Sequence, residues 1–327
     1  NIIICDNRKL YYLPFNGKPM ALTIKSFIDL MKSLPNANRC REFLEQHKWN
    51  GVPTCPHCNH SSERHYKLRF GGVFTGLYKC RHCKRRFNVT TRTMFEGSNI
   101  PLDKWFYAIY MFISHKKGIS SVQLSKDLGV TQKTAWFLLG RIRHNLNDWE
   151  LPKFEGVVQI DETYVGGKNK GRFKFNRGRS IKQKTPVVGV LTDDKVYTIV
   201  VPDTGSRTLK TIVYGLVKEG STVVTDEWVA YRGLSRDYRH EVVTHHTRNY
   251  VNERGFHTNG IEGFWSQLKR GLRGIYHVVT PKYLQMYCDE FAYRYNTRKQ
   301  TDIQRFIGFL TKPTERIRLA ELKYGYV

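Results

Sequence analysis

Three acidic residues stand where this sequence could do chemistry. Asp161 lies in VVQIDETYV and Asp226 in STVVTDEWVAY, both in Val-rich, strand-like runs, whereas Glu262 lies in the helix-like HTNGIEGFWSQLKRG. A carboxylate embedded in apolar surroundings is costly unless it is paired. Holding a divalent cation that activates water against a phosphodiester is one use for such a set. Successive strand side chains point to opposite faces, so Asp161 and Glu162 cannot both face one site. The same holds for Asp226 and Glu227, and alternation alone does not choose a member of either pair. On the helix, Asn259, Glu262, Ser266 and Lys269 share one sector, opposite Ile261, Phe264, Trp265, Leu268 and Leu272. Lys269 stands two turns from Glu262, roughly 10 Å along the axis. A lysine there can meet a phosphate while the carboxylate meets a metal.

Four cysteines form a second constellation. Cys55-Pro-His-Cys58 and Cys80-Arg-His-Cys83 are two C-x-x-C pairs separated by twenty-one residues. Two such knuckles suit one tetrahedral, structural Zn²⁺. The segment between them alternates like a β-hairpin around Gly71-Gly72, which makes the whole a zinc ribbon. His57, His60 and His82 are substitute ligands that four thiolates leave unneeded. Cys5, Cys40 and Cys288 have no partner in sequence. Seven cysteines, four of them in these pairs, indicate a reducing compartment rather than a disulfide framework.

The 327 residues carry 54 Lys and Arg against 28 Asp and Glu, a formal charge of +26. A field of that sign favours a polyanion, nucleic acid before a membrane surface. No apolar run reaches the roughly 20 residues needed to span a bilayer, and the opening segment is too short and polar for a secretory signal. Residues 1–20 have no clear period and read as an unassigned lead, with Met20 a candidate start.

The elements that must position these residues follow in order. Residues 21–50 predict two N-terminal helices, the first with Ile24, Phe27, Ile28 and Met31 inward and closed by Pro35, the second around residues 39–47 with Phe43 and Leu44 inward. The ribbon occupies residues 51–92. Residues 93–150 predict a helical domain: a buried helix from Pro101 to near Gly118, then a helix with Val122, Leu124 and Leu128 inward, a turn at Gly129-Val130, and a helix capped by Thr131 with Ala135, Leu138, Leu139 and Ile142 on one face. That spacing is a helix-turn-helix. Its second helix presents Gln132, Lys133, Trp136 and Arg141 to a DNA groove and its phosphates. Residues 151–300 run strand, loop, strand, strand, helix, strand, helix, strand, helix, an α/β domain. The loop after its first strand holds eight Lys or Arg between Lys168 and Lys184. Among them Lys168, Lys170, Arg172, Lys174, Arg177 and Arg179 suit a phosphate-tracking arm. Residues 301–327 read as a C-terminal tail.

The three acids, the DETYVGGK and TDEWVAY contexts, HTNGIEGFWSQLKRG, CPHC…CRHC, the IPLDKWFYAIY helix and RYNTR resemble zinc-ribbon insertion-sequence transposases of the DDE class with an ISXO2-like catalytic domain. These are related to the Merlin transposases. The resemblance spans about residues 21–298. It implies an α/β ribonuclease-H-like catalytic fold with Asp161, Asp226 and Glu262 as ligands of two Mg²⁺ ions, Mn²⁺ being able to substitute, and Lys269 as the family's lysine. It thereby chooses Asp161 over Glu162 and Asp226 over Glu227. Asn259 and Arg270 join the expected DNA contacts. The partners implied are transposon terminal inverted repeats and target DNA, with at least a homodimer to bring two ends together, in a nucleoid or a nucleus. The activity implied is cleavage at the element ends followed by attack of the freed 3′-hydroxyl on target DNA. The alternatives are a non-catalytic DNA-binding descendant and a ribonuclease-H-like nuclease without strand transfer.

Overall fold

A computed structural model describes residues 11–15, 18–22, 24–146, 153–166, 184–244 and 251–324. The chain divides into two compact units, Asn1–Asn145 with Gln300–Val327, and Leu146–Lys299.

In the first unit, β1 (Tyr11–Phe15) and β2 (Lys18–Leu22) pair as an antiparallel hairpin within the stretch that carries no sequence period. Helix α1 (Phe27–Ser33) starts at Ser26, whose side chain accepts from the Asp29 amide. Its buried stripe is Leu30, with Ile24 before it and Leu34 after it, whereas Ile28 and Met31 are exposed. The inward face is therefore rotated from the expected one, because the stripe Leu30–Leu34 falls four residues apart and Ile28 lies on the far side. Helix α2 (Ala37–Trp49) buries Cys40, Phe43 and Leu44. Strands β3 (Tyr66–Phe70), β4 (Val73–Lys79) and β5 (Arg86–Phe87) form a three-stranded antiparallel sheet. Its first turn is Gly71-Gly72, with φ of +53° and +80°, the left-handed pair a two-residue hairpin demands.

Helix α3 (Leu102–Ser114) is buried along most of its length. Helices α4 (Ser121–Leu128) and α5 (Gln132–His144) each begin at a hydroxyl cap, Ser120 accepting from the Gln123 amide and Thr131 from the Thr134 amide. Gly129 closes α4 in the left-handed region. Leu124 and Leu128 point inward with Ala135, Leu138, Leu139 and Ile142, but Val122 is exposed. Val122 and Leu124 are about 200° apart around a helix, so both cannot face the core.

The second unit is built on one mixed sheet. Strands β6 (Val157–Gly166), β7 (Lys184–Leu191) and β8 (Val196–Val200) form an antiparallel meander; helix α6 (Ser206–Leu216) leads to β9 (Thr222–Asp226), and β10 (Arg239–Val243) follows. The spatial order is β10-β9-β6-β7-β8, with β9 parallel to β6 and β10 parallel to β9. A central first strand, a meander on one side and two parallel strands on the other is the ribonuclease-H-like arrangement. Two 3₁₀ turns, Val229–Tyr231 and Leu234–Arg236, stand where a helix is expected between β9 and β10. Gly233, at φ +91°, breaks the run between them.

Strand alternation divides the core into two layers. Val158, Ile160, Val188, Val190 and Val223 face α6 and Tyr231. Val187, Leu191 and Val196 face α7 (Asn259–Gly271) and α8 (Pro281–Asn296), which a short π-helical turn at Leu272–Tyr276 separates.

The last residues are structured, which corrects their reading as a tail. Helix α9 (Asp302–Thr311) opens with a Thr301–Gln304 capping box and buries Phe306, Ile307, Phe309 and Leu310. Phe306 meets the rings of Phe106 and Tyr110 at 5.9 and 5.6 Å. Leu322 of α10 (Leu319–Tyr324) lies so close to Gly140 that a Cβ there would stand 2.5 Å from Leu322 Cδ2.

Candidate active site and zinc ribbon

The two cysteine knuckles are near-copies of each other. Cys55 N–H bonds to His60 O and Asn59 N–H to Cys55 O; Cys80 N–H bonds to Arg85 O and Lys84 N–H to Cys80 O. Asn59 and Lys84, each just after the second cysteine, both take positive φ, +55° and +62°. The left-handed residue turns the chain so that both thiols of a knuckle face the same point. Sγ of Cys55 lies 3.7 Å from that of Cys83, and Cys58 lies 3.7 Å from Cys80. A tetrahedral Zn²⁺ with Zn–S bonds of about 2.3 Å requires sulfur–sulfur edges of about 3.8 Å. The sulfur donor set therefore fits one zinc ion. Among the described residues, these four are the one group of three or more metal-ligating side chains whose ligand atoms all lie within 4.8 Å of one another. His57 instead contacts the Arg86 carbonyl, and His60 stacks on His82.

The acidic residues are gathered by strand register. In the parallel pair β6–β9, Gln159 stands opposite Val224. Two residues further on each strand come Asp161 and Asp226, at matching positions and on the same face. That face is the one α7 covers: Gln159 Oε1 accepts from the Ile261 amide at 3.0 Å, and Trp265 Nε1 donates to Asp161 Oδ2 at 3.0 Å. Glu162 points the other way and accepts from Tyr231 O–H at 2.5 Å. Glu227 lies past the end of β9 and is exposed, while Asp226 is half-buried and accepts from the Trp228 amide. Glu262, in the first turn of α7, accepts from Thr258 O–H at 3.0 Å. The three carboxylates share one face of the sheet, but their oxygens are spread more widely than the ribbon's sulfurs.

Helix α7 sits this low because two glycines leave room. A Cβ on Gly189, which pairs with Asp161 across the sheet, would lie 2.6 Å from Trp265 Cζ2 and 2.7 Å from Ile261 Cδ1. One on Gly260 would lie 2.8 Å from Gln159 Oε1. Trp265 belongs to the site through this approach. Sequence periodicity places it only on the apolar side of the helix, and the indole N–H is the one signal of a polar task.

Burial, reinforced by the charges of Asp226 and Glu262, pushes the Asp161 carboxyl up to about 6 against the pull of the Trp265 N–H. Burial also pushes Glu162 up to about 8. It pulls the Lys269 ammonium below its usual range, which the nearby Asp161 charge opposes. Asp161 therefore feels both other acids and Lys269.

The remaining expected contacts fall in several places. Gln132 and Lys133 are exposed at the start of α5, the Gln132 amide bonding to Ser121 Oγ; Trp136 is half-buried. Arg141 does not reach solvent. It is 2% exposed, and its guanidinium donates to the carbonyls of Ile317, Met94 and Glu96. On α5 it follows Leu138 by three residues, so it turns inward, where the returning C-terminal segment supplies the acceptors. Asn259 and Arg270 are exposed on α7, and Arg270 bonds to the Ser266 carbonyl. Lys168, Lys170, Arg172, Lys174, Arg177 and Arg179 lie outside the described residues. No helix among the described residues is long and apolar enough to cross a membrane.

Residues 153–296 match the ISXO2-like transposase domain, and residues 35–86 match the transposase zinc-ribbon domain. A protein described as an uncharacterized protein in transposable element ISH50, from Halobacterium salinarum, is 32% identical over 259 residues, 74% of this chain and 85% of that relative. A transposase-like protein of Haemophilus influenzae is 34% identical over 103 residues, 31% of this chain and 81% of its own length. The chain belongs to the zinc-ribbon, ISXO2-like transposase family. Among solved structures, a Mos1 strand transfer complex aligns with a TM-score of 0.22 and 9% identity over 62% of this chain and 77% of that one. A simian T-cell lymphotropic virus intasome chain aligns with a TM-score of 0.26 and 16% identity over 53% of this chain. The chain spans 63% of that intasome chain's length.

Proposed function

We propose that this protein is an active DDE transposase, which binds terminal inverted repeats, cleaves the element ends and joins the freed 3′-hydroxyls to target DNA. The observation that carries this reading is the matching register of Asp161 and Asp226 on adjacent parallel strands, under a helix that brings Glu262 to the same face.

The three carboxylates offer an all-oxygen donor set, the kind hard divalent cations take. Burial, with repulsion from Asp226 and Glu262 added to it, raises the Asp161 carboxyl, and bound cations would relieve both. Asp161, Asp226 and Glu262 would hold two Mg²⁺ ions, or Mn²⁺ in their place. Such ions supply Lewis acidity at the scissile phosphate and lower the pKa of a bound water. The chain's own groups do the rest. The Trp265 indole fixes the orientation of Asp161, and the Ile261–Gln159 bond fixes α7 on the sheet. Lys269, beyond Glu262 on the same helix, meets a phosphate of the bound strand. Gln132, Lys133 and Trp136 on α5, Asn259 and Arg270 on α7, and the basic segment 168–184 contact DNA. At least two copies assemble to bring two ends together. One Zn²⁺ in the ribbon is structural.

Incubating the protein with element-end DNA and Mg²⁺, then mapping cut and joined strands, tests the proposal. Cleavage at the ends with joining of 3′-hydroxyls is the expected result. Cutting without joining would identify a nuclease, and tight binding with neither would identify a DNA-binding descendant.

A further inference from the structure

The ribbon hairpin has an apolar face that the ribbon's own core leaves unused. Strands β3 and β4 pair Tyr66 with Lys79, Leu68 with Leu77 and, after a register shift, Phe70 with Val73. Residues directly opposite share a face, and alternation puts Tyr66, Leu68 and Phe70 on one side of β3. The other side of β4 carries Phe74 and Tyr78, which pack with Trp49, Phe87 and the cysteines. Phe70 and Val73 therefore turn away from that core, 84% and 70% exposed, on either side of the Gly71-Gly72 turn. The tip is braced: the Arg69 guanidinium donates to Gly72 O at 2.8 Å, and Thr75 O–H donates to Leu68 O at 2.9 Å.

The charge around this tip is one-sided. Eight Lys and Arg between residues 64 and 86 are all exposed, and that stretch of sequence contains no Asp or Glu. The Arg81 guanidinium lies over the Tyr66 ring at 5.4 Å, beside the apolar strip. An apolar protein or lipid partner would have to strip water from those cations, whereas a nucleic acid offers phosphates to the cations and flat apolar surface to the rings.

We propose that this face is a DNA-contact surface on which Phe70, backed by Val73, wedges between neighbouring bases while the flanking cations hold the backbone. The inference rests on the transposase reading only in taking DNA as the partner; it requires no catalysis.

The test uses the full-length, zinc-loaded protein without added Mg²⁺. A fluorescent mixed-sequence duplex carries 2-aminopurine beside a single mismatch, a step that unstacks readily. Binding of the wild type should raise the 2-aminopurine signal. Phe70→Ala should keep one zinc per chain, weaken binding by about fivefold or more, and abolish the rise; Phe70→Trp should restore both. Lys79→Gln with Arg81→Gln, the two cations beside Tyr66 on this face, should flatten the salt dependence by about 0.9 per lost phosphate contact while keeping the rise. An absent rise with the wild type, or an undiminished one with Phe70→Ala, would overturn the wedge. So would concentration-dependent self-association lost in Phe70→Ala with DNA binding unchanged, which would assign the strip to a second copy of the chain. Cleavage failing while these optical results hold would count against the catalytic reading alone.

Discussion

The ribbon and the sheet of the second unit gather their thiol and acidic groups in opposite ways. The ribbon brings Cys55 to within 3.7 Å of Cys83 across 28 residues of chain, using two turns with the same hydrogen-bond pattern. The second unit joins Trp265 to Asp161 across 104 residues, through a parallel strand pair and a helix seated on two glycines. The ribbon's geometry is local and closes around one point. The acidic site is assembled by a whole fold and stays more open, with each carboxylate held by a different donor. A structural site is well served by the first plan. A site that must admit DNA and release it is better served by the second.

Removing zinc should produce the largest effect. In zinc-finger peptides the metal supplies on the order of 10 kcal/mol of folding energy. Chelation, or Cys80→Ser, should therefore unfold the ribbon hairpin, seen as rapid proteolysis near Gly71-Gly72, while the melting transition of the second unit persists. A ribbon that resists proteolysis without metal would break the contrast. Next comes Asp226→Asn, expected to lower cleavage and joining by about a thousandfold or more while DNA binding stays near wild type. Activity close to wild type would remove Asp226 from the site.

Gly189→Ala tests whether the acidic site depends on remote packing. The added methyl must displace Trp265 or Ile261, at a cost of about 1–3 kcal/mol. Melting temperature and cleavage should both fall, with zinc content unchanged. A variant that cleaves normally would show that α7 need not sit so low. Trp265→Phe keeps the packing and removes one hydrogen bond, worth about 0.5–1.5 kcal/mol. It should weaken Mn²⁺ binding, measured by electron paramagnetic resonance, by roughly twofold to tenfold and leave the melting temperature almost unmoved.

The smallest effect concerns a carboxylate outside the site. Burial pushes Asp289 on α8 up to about 7, against a hydrogen bond from Gln285. With its folded pKa above the unfolded value, the folded state holds an extra proton between the two. Its contribution is complete below about pH 4 and is lost as pH rises through 7. Asp289→Asn should therefore melt higher than wild type at pH 8, by on the order of 1 kcal/mol, and the advantage should shrink as pH falls and vanish below about pH 4.

The sequence made legible whatever depends on neighbours along the chain. The knuckles, the glycine turn and the hydroxyl caps at Ser120 and Thr131 all follow from local residue types. Alternation correctly sets Asp161 and Glu162 on opposite faces, although it does not name the face that α7 covers. Contacts made by returning chain were not legible. Arg141 reads as a surface cation until the carbonyls of Met94 and Ile317 close around it. Trp265 reads as plain core until Gly189 lets its indole reach a carboxylate. The end of the chain has few residues to display a period, so its two helices emerge only through what they cover, α9 the aromatic rings of α3 and α10 the Gly140 position of α5.

That return of the chain has a consequence for biosynthesis. The second unit is an insertion: the polypeptide leaves the first unit at Asn145 and re-enters it at Gln300. On a ribosome, the sheet of the second unit is complete before α9 has emerged to cover Phe106 and Tyr110 and before Ile317 has emerged to accept from Arg141. The first unit is thus finished last, although most of it is made first. A protein truncated near residue 299 would leave the first unit with an open core.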